Sequence, residues 1–397
     1  MSEHNSGFSA ESFVVAPIRD LPKSGIREFF DLVAGRNDVI SLGVGEPDFT
    51  TPWNVRESAI YSLEAGYTSY TSNAGTPELR RAICNYVKEN YNADYDPMKE
   101  CLVTIGVSEA LDLAIRALVD PGDEVIYTTP CFVSYPAEVL MARGVPVPLV
   151  TSEQDNFSIN PDELRKLITP KSKILLLNFP CNPTGAVAPE SVLREIADIA
   201  IKNNLIVISD EIYSELVYDD YKHVSIASFP GMKERTIFLH GFSKAFAMTG
   251  FRIGYVCAPQ VITDAMYKIH QYSIMCAPIT AQAAALEALK SARKDMLAMR
   301  ESYWERRNII VHGLRDAGLD CVMPQGAFYS FPSIKSTGMT SREFAEALLK
   351  EESVAVVPGS AFGPGGEGYV RACSATAEDQ IIEALKRIKR FVARHRK

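Results

Sequence analysis

The sequence has no stretch of 18 apolar residues, no CxxC pair and no block of consecutive lysines and arginines. Without such an apolar stretch, the sequence offers no candidate for a membrane-spanning helix. The N-terminus, MSEHNSGFSAESF, lacks the basic and apolar regions of a signal peptide. Nucleic acid is not expected as the main partner, because 41 Lys+Arg stand against 49 Asp+Glu and the net charge is -8.

Cysteine is sparse and scattered. The eight cysteines lie far apart in the chain, with no histidine at ligand spacing beside them, so no metal site is expected. Free thiols are typical of a reducing compartment, and the protein is expected to be cytoplasmic. These residues are Cys84, Cys101, Cys131, Cys181, Cys257, Cys276, Cys321 and Cys373.

Hydrophobic residues make up 47% of the 397 residues, enough for a large domain with a smaller partner. Seven short apolar runs alternate with amphipathic segments such as 108–119 and 189–203. This alternation predicts an α/β fold with a mostly parallel seven-stranded sheet and helices on both faces. The runs are 102–106, 124–129, 145–150, 173–178, 205–209, 236–240 and 252–257.

The last third of the chain differs in pattern. Residues 259–318 are expected to be helical with one break near Ser291, and short apolar runs and two helices follow. This pattern predicts a smaller α+β domain. The predicted division is an N-terminal arm with part of the small domain over 1–45, a large domain over 46–292 and a small domain over 293–397. The later elements are AFYSFP at 327–332, a helix over 341–352, VAVV at 354–357, YVRAC at 369–373 and a basic C-terminal helix.

Polar side chains follow three of the predicted strands. Asn182 lies in a Pro-Gly turn after the fourth run. Asp210 follows the fifth run with Tyr213 three residues later, and Lys244 follows the sixth. Because ligands collect at the carboxyl ends of strands in an open α/β sheet, we expect these side chains to lie close together.

A phosphate site is predicted beside them, because Val107 and Ser108 begin a helix whose N-terminal amides suit an anion. Pyridoxal phosphate needs a lysine for a Schiff base, a carboxylate for its pyridine nitrogen, donors to its 3′-oxygen and a phosphate cup. Taken singly, the lysine could be a surface charge and Asp210 a helix cap. The order and strand-end placement of the whole set favour the cofactor. Lys244 can form the Schiff base, and Asp210 can pair with the pyridine nitrogen. Asn182 and Tyr213 can donate to the 3′-oxygen, and Ser108 and Arg252 can bind the phosphate.

Four ordered motifs resemble one family closely. The resemblance runs from LGVGEPDFTTP (42–52) through YTSNAGTPELRRAI (70–83) to the end of the chain. The set is similar to that of the class I and II aminotransferases, which are fold type I pyridoxal phosphate enzymes, and looks most like their prokaryotic aspartate and aromatic branch. It implies transfer of an amino group from an aromatic, neutral or aspartate L-amino acid to a 2-oxo acid such as 2-oxoglutarate, with ping-pong kinetics. The motifs are NPTG at 182–185, SDEIY at 209–213, SKAFAMTGFRIGY at 243–255 and YVRAC at 369–373.

The resemblance implies a role for each matched residue. Lys244 would form the Schiff base and move the proton, and Asp210 would pair with the pyridine nitrogen. Asn182 and Tyr213 would bond the 3′-oxygen. Phe132 would stack on the ring and border the substrate.

The remaining roles concern the phosphate, the substrate and a second subunit. Arg371 would clamp the substrate α-carboxylate, assisted by Asn182 and the backbone of Gly45. A homodimer with shared active sites is implied, because Tyr70 would reach the phosphate of the neighbouring subunit. The other phosphate ligands would be Val107, Ser108, Ser243 and Arg252.

Two positions depart from parts of the family. Gly241 stands where some relatives carry a hydroxyl residue. Ser108 stands where some aspartate-specific relatives place a lysine for the second substrate carboxylate, which weakens an aspartate-only interpretation. Specificity would also depend on the arm, which contains Arg19, Arg27 and Phe29.

Other functions remain possible at this level. The same scaffold performs β-elimination and related C–S lyase chemistry with overlapping motifs. Relatives of the fold also serve as ligand-sensing parts of transcription regulators, but the segment before residue 42 is too short and too weakly basic for a DNA-binding domain. A dinucleotide enzyme is disfavoured because GVGEPD lacks the third glycine of GxGxxG.

Overall fold

The computed structural model describes residues 9–23, 25–26, 35–36 and 38–396. The strands of these residues are β1 Ile40–Ser41, β2 Cys101–Thr104, β3 Glu124–Thr129, β4 Val145–Val150, β5 Ser172–Asn178, β6 Ile206–Asp210, β7 Thr236–Gly241, β8 Gly254–Cys257, β9 Tyr329–Ser330, β10 Val354–Ala355, β11 Val357–Pro358 and β12 Val370–Cys373. The α-helices are α1 Ala16–Arg19, α2 Trp53–Glu64, α3 Pro77–Tyr91, α4 Gly106–Leu118, α5 Ser134–Met141, α6 Pro161–Leu167, α7 Glu190–Lys202, α8 Gln260–Ser273, α9 Ile279–Ser291, α10 Arg293–Asp316, α11 Ser341–Glu352 and α12 Glu378–His395.

Seven strands form the central sheet in the order β2-β8-β7-β6-β5-β3-β4. The strands from β7 to β4 pair in parallel, whereas β8 runs antiparallel to both of its neighbours. The predicted mostly parallel seven-stranded sheet is confirmed. Each strand coincides with one of the seven apolar runs to within a few residues.

The inner strands are apolar on both faces because helices cover both sides. Alternate residues of β5 point to opposite faces. Ile174 and Leu176 belong to a core cluster with α4, whereas Leu175 and Leu177 belong to a cluster with α7. The carboxyl ends of β5, β6 and β7 are thereby fixed side by side. Among the described residues, no helix is both long and apolar enough to cross a bilayer.

The C-terminal part corrects two expectations. The helical region is interrupted twice rather than once, at residues 274–278 and at Ala292. Pro278 accounts for the first interruption, since proline has no N–H and disfavours helix in the residue before it. VAVV is not one strand, because β10 pairs with β1 and β11 pairs with β12 in a different sheet.

Helix α10 connects two hydrophobic clusters. Met296 and Met299, in its first half, pack with residues that line the central sheet. Ile310 and Leu314, in its second half, pack in a cluster that includes α11, α12 and Ile40. The N-terminal segment around β1 therefore packs with the C-terminal third of the chain.

Candidate active site

A cavity of about 480 Å³ lies at the carboxyl ends of the central strands. Every site residue predicted from the sequence lines it, except Tyr70. The convergence follows from the parallel arrangement of β5, β6 and β7, whose ends meet at one edge of the sheet. The predicted residues brought together are Gly45, Val107, Ser108, Phe132, Asn182, Asp210, Tyr213, Ser243, Lys244, Arg252 and Arg371.

Lys244 lies three residues beyond β7, with its amine in the cavity. Its Nζ donates a hydrogen bond to the carbonyl of Gly45 at 2.6 Å. Burial lowers the pKa of Lys244 to about 8, and the charges of Arg371 and Arg252 act in the same direction. A substantial fraction of this amine is therefore neutral near physiological pH, as a nucleophile or base requires.

Asp210 is the last residue of β6 and is buried. Its carboxylate accepts a hydrogen bond from the hydroxyl of Tyr135 at 2.8 Å and one from the backbone N–H of Ile212 at 3.2 Å. Burial raises the pKa of Asp210 to about 6, while the hydrogen bond from Tyr135 acts in the opposite direction. No ion pair of Asp210 occurs among the residues that the structure describes. A buried carboxylate of this kind favours a cationic ligand.

Arg371, on β12, is buried at 2% exposure, and its hydrogen bonds go to neutral groups. Nη1 donates to the side-chain oxygen of Asn182 at 2.9 Å, and Nη2 donates to the carbonyl of Gly43 at 2.6 Å. Nε has no hydrogen-bond partner within the described part of the chain. The guanidinium lies over the ring of Tyr329, 4.5 Å from its centroid. A buried guanidinium without a carboxylate partner is suited to binding an anion.

Two aromatic hydroxyls lie between these groups. Tyr213 and Tyr329 share a hydrogen bond of 2.9 Å, and either hydroxyl can donate it. Burial raises the pKa of Tyr213 well above its usual range, so the phenol is protonated and can donate. Asn182 is oriented as well, because its backbone N–H donates to the side chain of Asn178 at 3.0 Å.

The start of α4 forms a close backbone cradle. A Cβ on Gly106 would lie 2.8 Å from Nη2 of Arg252, and a Cβ on Gly254 would lie 2.8 Å from the backbone nitrogen of Val107. Gly106 also has φ +69, which favours glycine. Only glycines therefore allow the amides at the start of α4 and the guanidinium of Arg252 to approach each other. Amides at a helix start beside a guanidinium are typical of phosphate sites.

The other predicted residues of the cavity differ in exposure. Ser108 and Arg252 are exposed at its rim, whereas Val107, Ser243 and Phe132 are half-buried. The ring of Phe132 packs edge-on against Tyr135 with centroids 5.9 Å apart. The cavity is thus open on the side that carries the helix start and closed on the side of Asp210.

Tyr70 and Arg19 lie elsewhere. Tyr70 is 79% exposed and does not line the cavity of its own chain. Arg19 is exposed and pairs with Asp20 at 3.0 Å. Arg27 and Phe29 lie outside the described residues.

The family model described as "Aminotransferase class I and II" matches residues 37–388. The chain belongs to the class I and II aminotransferases.

Individual relatives agree with this assignment. An aspartate aminotransferase of Pyrococcus abyssi is 49% identical over 371 residues, which cover 93% of this chain and 95% of that protein. An aromatic-amino-acid aminotransferase of Thermococcus litoralis is 44% identical, with 93% and 95% covered. The crystal structure of an aromatic aminotransferase from Pyrococcus horikoshii superposes with a TM-score of 0.89 at 47% identity, covering 93% of this chain and 99% of that one. The protein is a transaminase.

Sequence reasoning missed three polar residues of this aminotransferase site. Asn178 ends β5, and its side-chain amide donates to the carbonyl of Asp210 at 2.9 Å. The strand-end argument could have found it, since it is the last residue of KILLLN. Tyr135 and Tyr329 lie in the segments TTPCFVSYP and AFYSFP, but nothing in their spacing predicts contact with Asp210 or Tyr213.

Proposed function

We propose that this aminotransferase uses pyridoxal 5′-phosphate to move the amino group of an aromatic, neutral or aspartate L-amino acid to a 2-oxo acid such as 2-oxoglutarate. The observation that carries the proposal is the arrangement of Lys244, Asp210 and Arg371 around one cavity. They are, respectively, a partly neutral amine, a buried carboxylate and a buried guanidinium, and neither of the last two forms an ion pair with any residue that the structure describes.

The residues present fit the cofactor. The close approach of Gly106, Gly254 and Arg252 suits a phosphate, which a Cβ on either glycine would obstruct. The buried Asp210, which lines the same cavity, suits a protonated ring nitrogen. When bound, the cofactor supplies an aldehyde that links to amines and an electron-withdrawing ring that stabilises negative charge at the substrate Cα.

Each predicted residue has a task in this proposal. Asp210 holds a proton on the ring nitrogen, and Tyr135 fixes the orientation of that carboxylate. Tyr213 and Asn182 donate to the 3′-oxygen. Asn182 is suited to this because its oxygen already accepts from Arg371, which leaves its NH₂ group to donate. Phe132, which lines the cavity, would cover the ring. The phosphate ligands are Val107, Ser108, Ser243, Arg252 and, from the second subunit, Tyr70.

Lys244 binds the cofactor and then moves the proton. After the substrate amine has displaced it, Lys244 is free as a neutral base, and its lowered pKa of about 8 favours that form. It would accept the proton from the substrate Cα and hold it at Nζ. The first oxo acid would leave before the second binds, so ping-pong kinetics are expected.

Arg371 binds the α-carboxylate of the substrate and so orients the Cα hydrogen. Asn182 and the backbone of Gly45 assist it. The side-chain end of the substrate meets a different environment. Within the described residues, the cations that line the cavity are Lys244, Arg252 and Arg371, each of which already has a task.

No further cation of the described lining is therefore available for a distal carboxylate. Leaving that group unpaired costs several kcal/mol, whereas an aromatic side chain gains by burial. We propose that phenylalanine and tyrosine are used at least as well as aspartate. The names of the relatives, which include aspartate and aromatic aminotransferases, support both substrate types.

We also propose a homodimer in the cytoplasm. The exposure of Tyr70 supports a contact with a neighbouring subunit, and the eight free cysteines support a reducing compartment. The proposed division of each subunit places 1–45 in an arm and part of the small domain, 46–292 in the large domain and 293–397 in the small domain. The clustering of Ile40 with α11 and α12 supports this grouping.

A complementation experiment tests the shared site. Lys244→Ala chains and Tyr70→Phe chains are each expected to have low activity alone. A mixed dimer would contain one site with both defects and one intact site, so mixing should restore up to half of the normal activity per dimer. If mixing restores nothing although mixed dimers form, Tyr70 serves its own subunit or none.

A substrate panel tests the proposed reaction. We expect kcat/KM for phenylalanine and tyrosine to equal or exceed the value for aspartate with 2-oxoglutarate as common acceptor. An aspartate preference above roughly 100-fold, about 2.7 kcal/mol of discrimination, would contradict the absence of a distal cation. Release of pyruvate from cysteine conjugates without any oxo acid would indicate a lyase instead.

A further inference from the structure

Three cysteines that are distant in sequence meet in the interior. Cys84 lies on α3, Cys101 begins β2 and Cys257 ends β8. Their sulfur atoms all lie within 4.8 Å of one another. The residues are buried, with exposures of 4%, 0% and 0%. No metal site is expected from the sequence because the cysteines are far apart in the chain, whereas the fold brings these three together.

The backbone holds two of the thiols in place. Cys101 and Cys257 are direct partners in the antiparallel pair of β2 and β8. The next pair outward is hydrogen-bonded, since Ala258 N–H donates to the Glu100 carbonyl at 3.0 Å. Cys101 and Cys257 therefore form a non-hydrogen-bonded pair, in which side chains approach more closely.

A buried cation lies beside the thiols. Arg80 is 8% exposed and is one helical turn before Cys84 on the same face of α3. Its Nε donates to the backbone carbonyl of Cys101 at 3.0 Å. No carboxylate of the described residues forms an ion pair with it. A buried guanidinium without a counter-ion is costly, and negative charge on the neighbouring sulfurs would compensate it.

The thiols are also polarised. Hydrogen bonds from Cys101 and Cys257 lower the pKa of the Cys84 thiol, and the charge of Arg80 lowers it further. Burial raises the pKa of the Cys257 thiol. All three sulfurs must be deprotonated to bind a metal as thiolates, so uptake of an ion would release protons.

We propose that Cys84, Cys101 and Cys257 bind one soft divalent metal ion as three thiolates, at a site separate from the catalytic cavity. Thiolates select soft metals over magnesium and calcium. The charges balance, because one divalent cation, three thiolates and Arg80 sum to zero, and a neutral assembly is what an apolar interior tolerates. No histidine or carboxylate of the described residues joins the three sulfurs, so three-coordination is favoured over the four-ligand geometry of structural zinc.

Cadmium is a suitable probe. The reduced, cofactor-loaded enzyme would be incubated with Cd²⁺, and binding would be followed by thiolate-to-metal absorption and by proton release. We expect one ion per chain, with up to three protons released, and three sulfur ligands by X-ray absorption spectroscopy. Failure to take up the ion, or a site with fewer than three sulfurs, would overturn the proposal without any variant being needed.

Variants then locate the site. Cys84→Ser and Cys257→Ser should each weaken Cd²⁺ binding at least 100-fold. Cys321→Ser is the matched control, since Cys321 is also buried but packs in a different cluster, and it should bind as the unmodified chain does. Cys276→Ser tests the half-buried cysteine outside this cluster. If all variants bind Cd²⁺ with equal affinity, or if only Cys276→Ser loses binding, the ion lies at another position and the proposal is wrong. Because the proposed site lies outside the cavity, its failure would leave the aminotransferase proposal unaffected.

Discussion

The lowered pKa of Lys244 has a measurable consequence for cofactor capture. Only the neutral amine attacks an aldehyde, so the capture rate of the cofactor-free enzyme should follow the neutral fraction. With a pKa of about 8, about 9% of Lys244 is neutral at pH 7. A lysine with the ordinary pKa of 10.5 would be about 0.03% neutral at pH 7, so burial in the fold raises the neutral fraction of the amine roughly 300-fold.

The assay is the rate at which the cofactor-free enzyme captures pyridoxal phosphate between pH 6 and pH 10. Borohydride trapping and peptide mapping would identify the modified lysine. The rate should rise about tenfold per pH unit below pH 8 and level off above it. N-acetyl-lysine under the same conditions corrects for titration of the free cofactor, and Lys244→Ala gives the background. A rate that continues to rise in parallel with N-acetyl-lysine up to pH 10 would refute the burial argument.

Three further predictions use the structure directly. Gly106→Ala should weaken cofactor affinity at least tenfold by equilibrium dialysis, because the new Cβ would lie 2.8 Å from Arg252. Gly122→Ala is the control: Gly122 has a similar positive φ of +92, but a Cβ there would meet nothing within 4 Å, so this variant should bind the cofactor normally. Asp210→Asn should lower kcat about 100-fold or more in steady-state assays while the fold is kept, since the ring loses its charge partner; near-normal turnover would exclude the proposed role. Arg371→Lys should lower kcat/KM for the amino acid about 100-fold, or about 2.7 kcal/mol, because a lysine cannot bind a carboxylate through two parallel N–H groups. The matched change Arg307→Lys should lower the melting temperature and leave kcat/KM within a few-fold. If Arg307→Lys instead lowered kcat/KM and Arg371→Lys lowered only the melting temperature, Arg307 would be the functional cation and Arg371 the structural one.

The sequence predicts the central part of this site because a parallel sheet converts order along the chain into proximity. Asn182 and Lys244 follow β5 and β7, Asp210 ends β6, and these three strands are adjacent. Short apolar runs between amphipathic helices are sufficient to locate such strand ends. Asn178 belongs to the same group of strand-end residues, since it is the last residue of β5.

Contacts made across the fold could not be predicted in this way. Tyr329 comes from a two-residue strand in a separate sheet, and its hydroxyl reaches Tyr213 through the packing of the C-terminal part on the central sheet. The meeting of Cys84, Cys101 and Cys257 depends on the register between β2 and β8 and on the docking of α3. Register and docking are set by the packing of whole elements, which no short motif encodes.

Two buried arginines illustrate how the structure separates a structural from a functional cation. Arg307 is 3% exposed, and both of its Nη atoms donate to the carboxylate of Asp219, at 2.8 and 2.9 Å. Arg371 is equally buried, but its partners are an amide oxygen and a backbone carbonyl, and its Nε has no partner among the described residues. Sequence alone allowed Arg371 to be a structural ion pair like that of Arg307. Since a buried guanidinium is stabilised far more by a carboxylate than by neutral acceptors, the incomplete pairing of Arg371 is the feature expected of a residue whose anion arrives with the substrate.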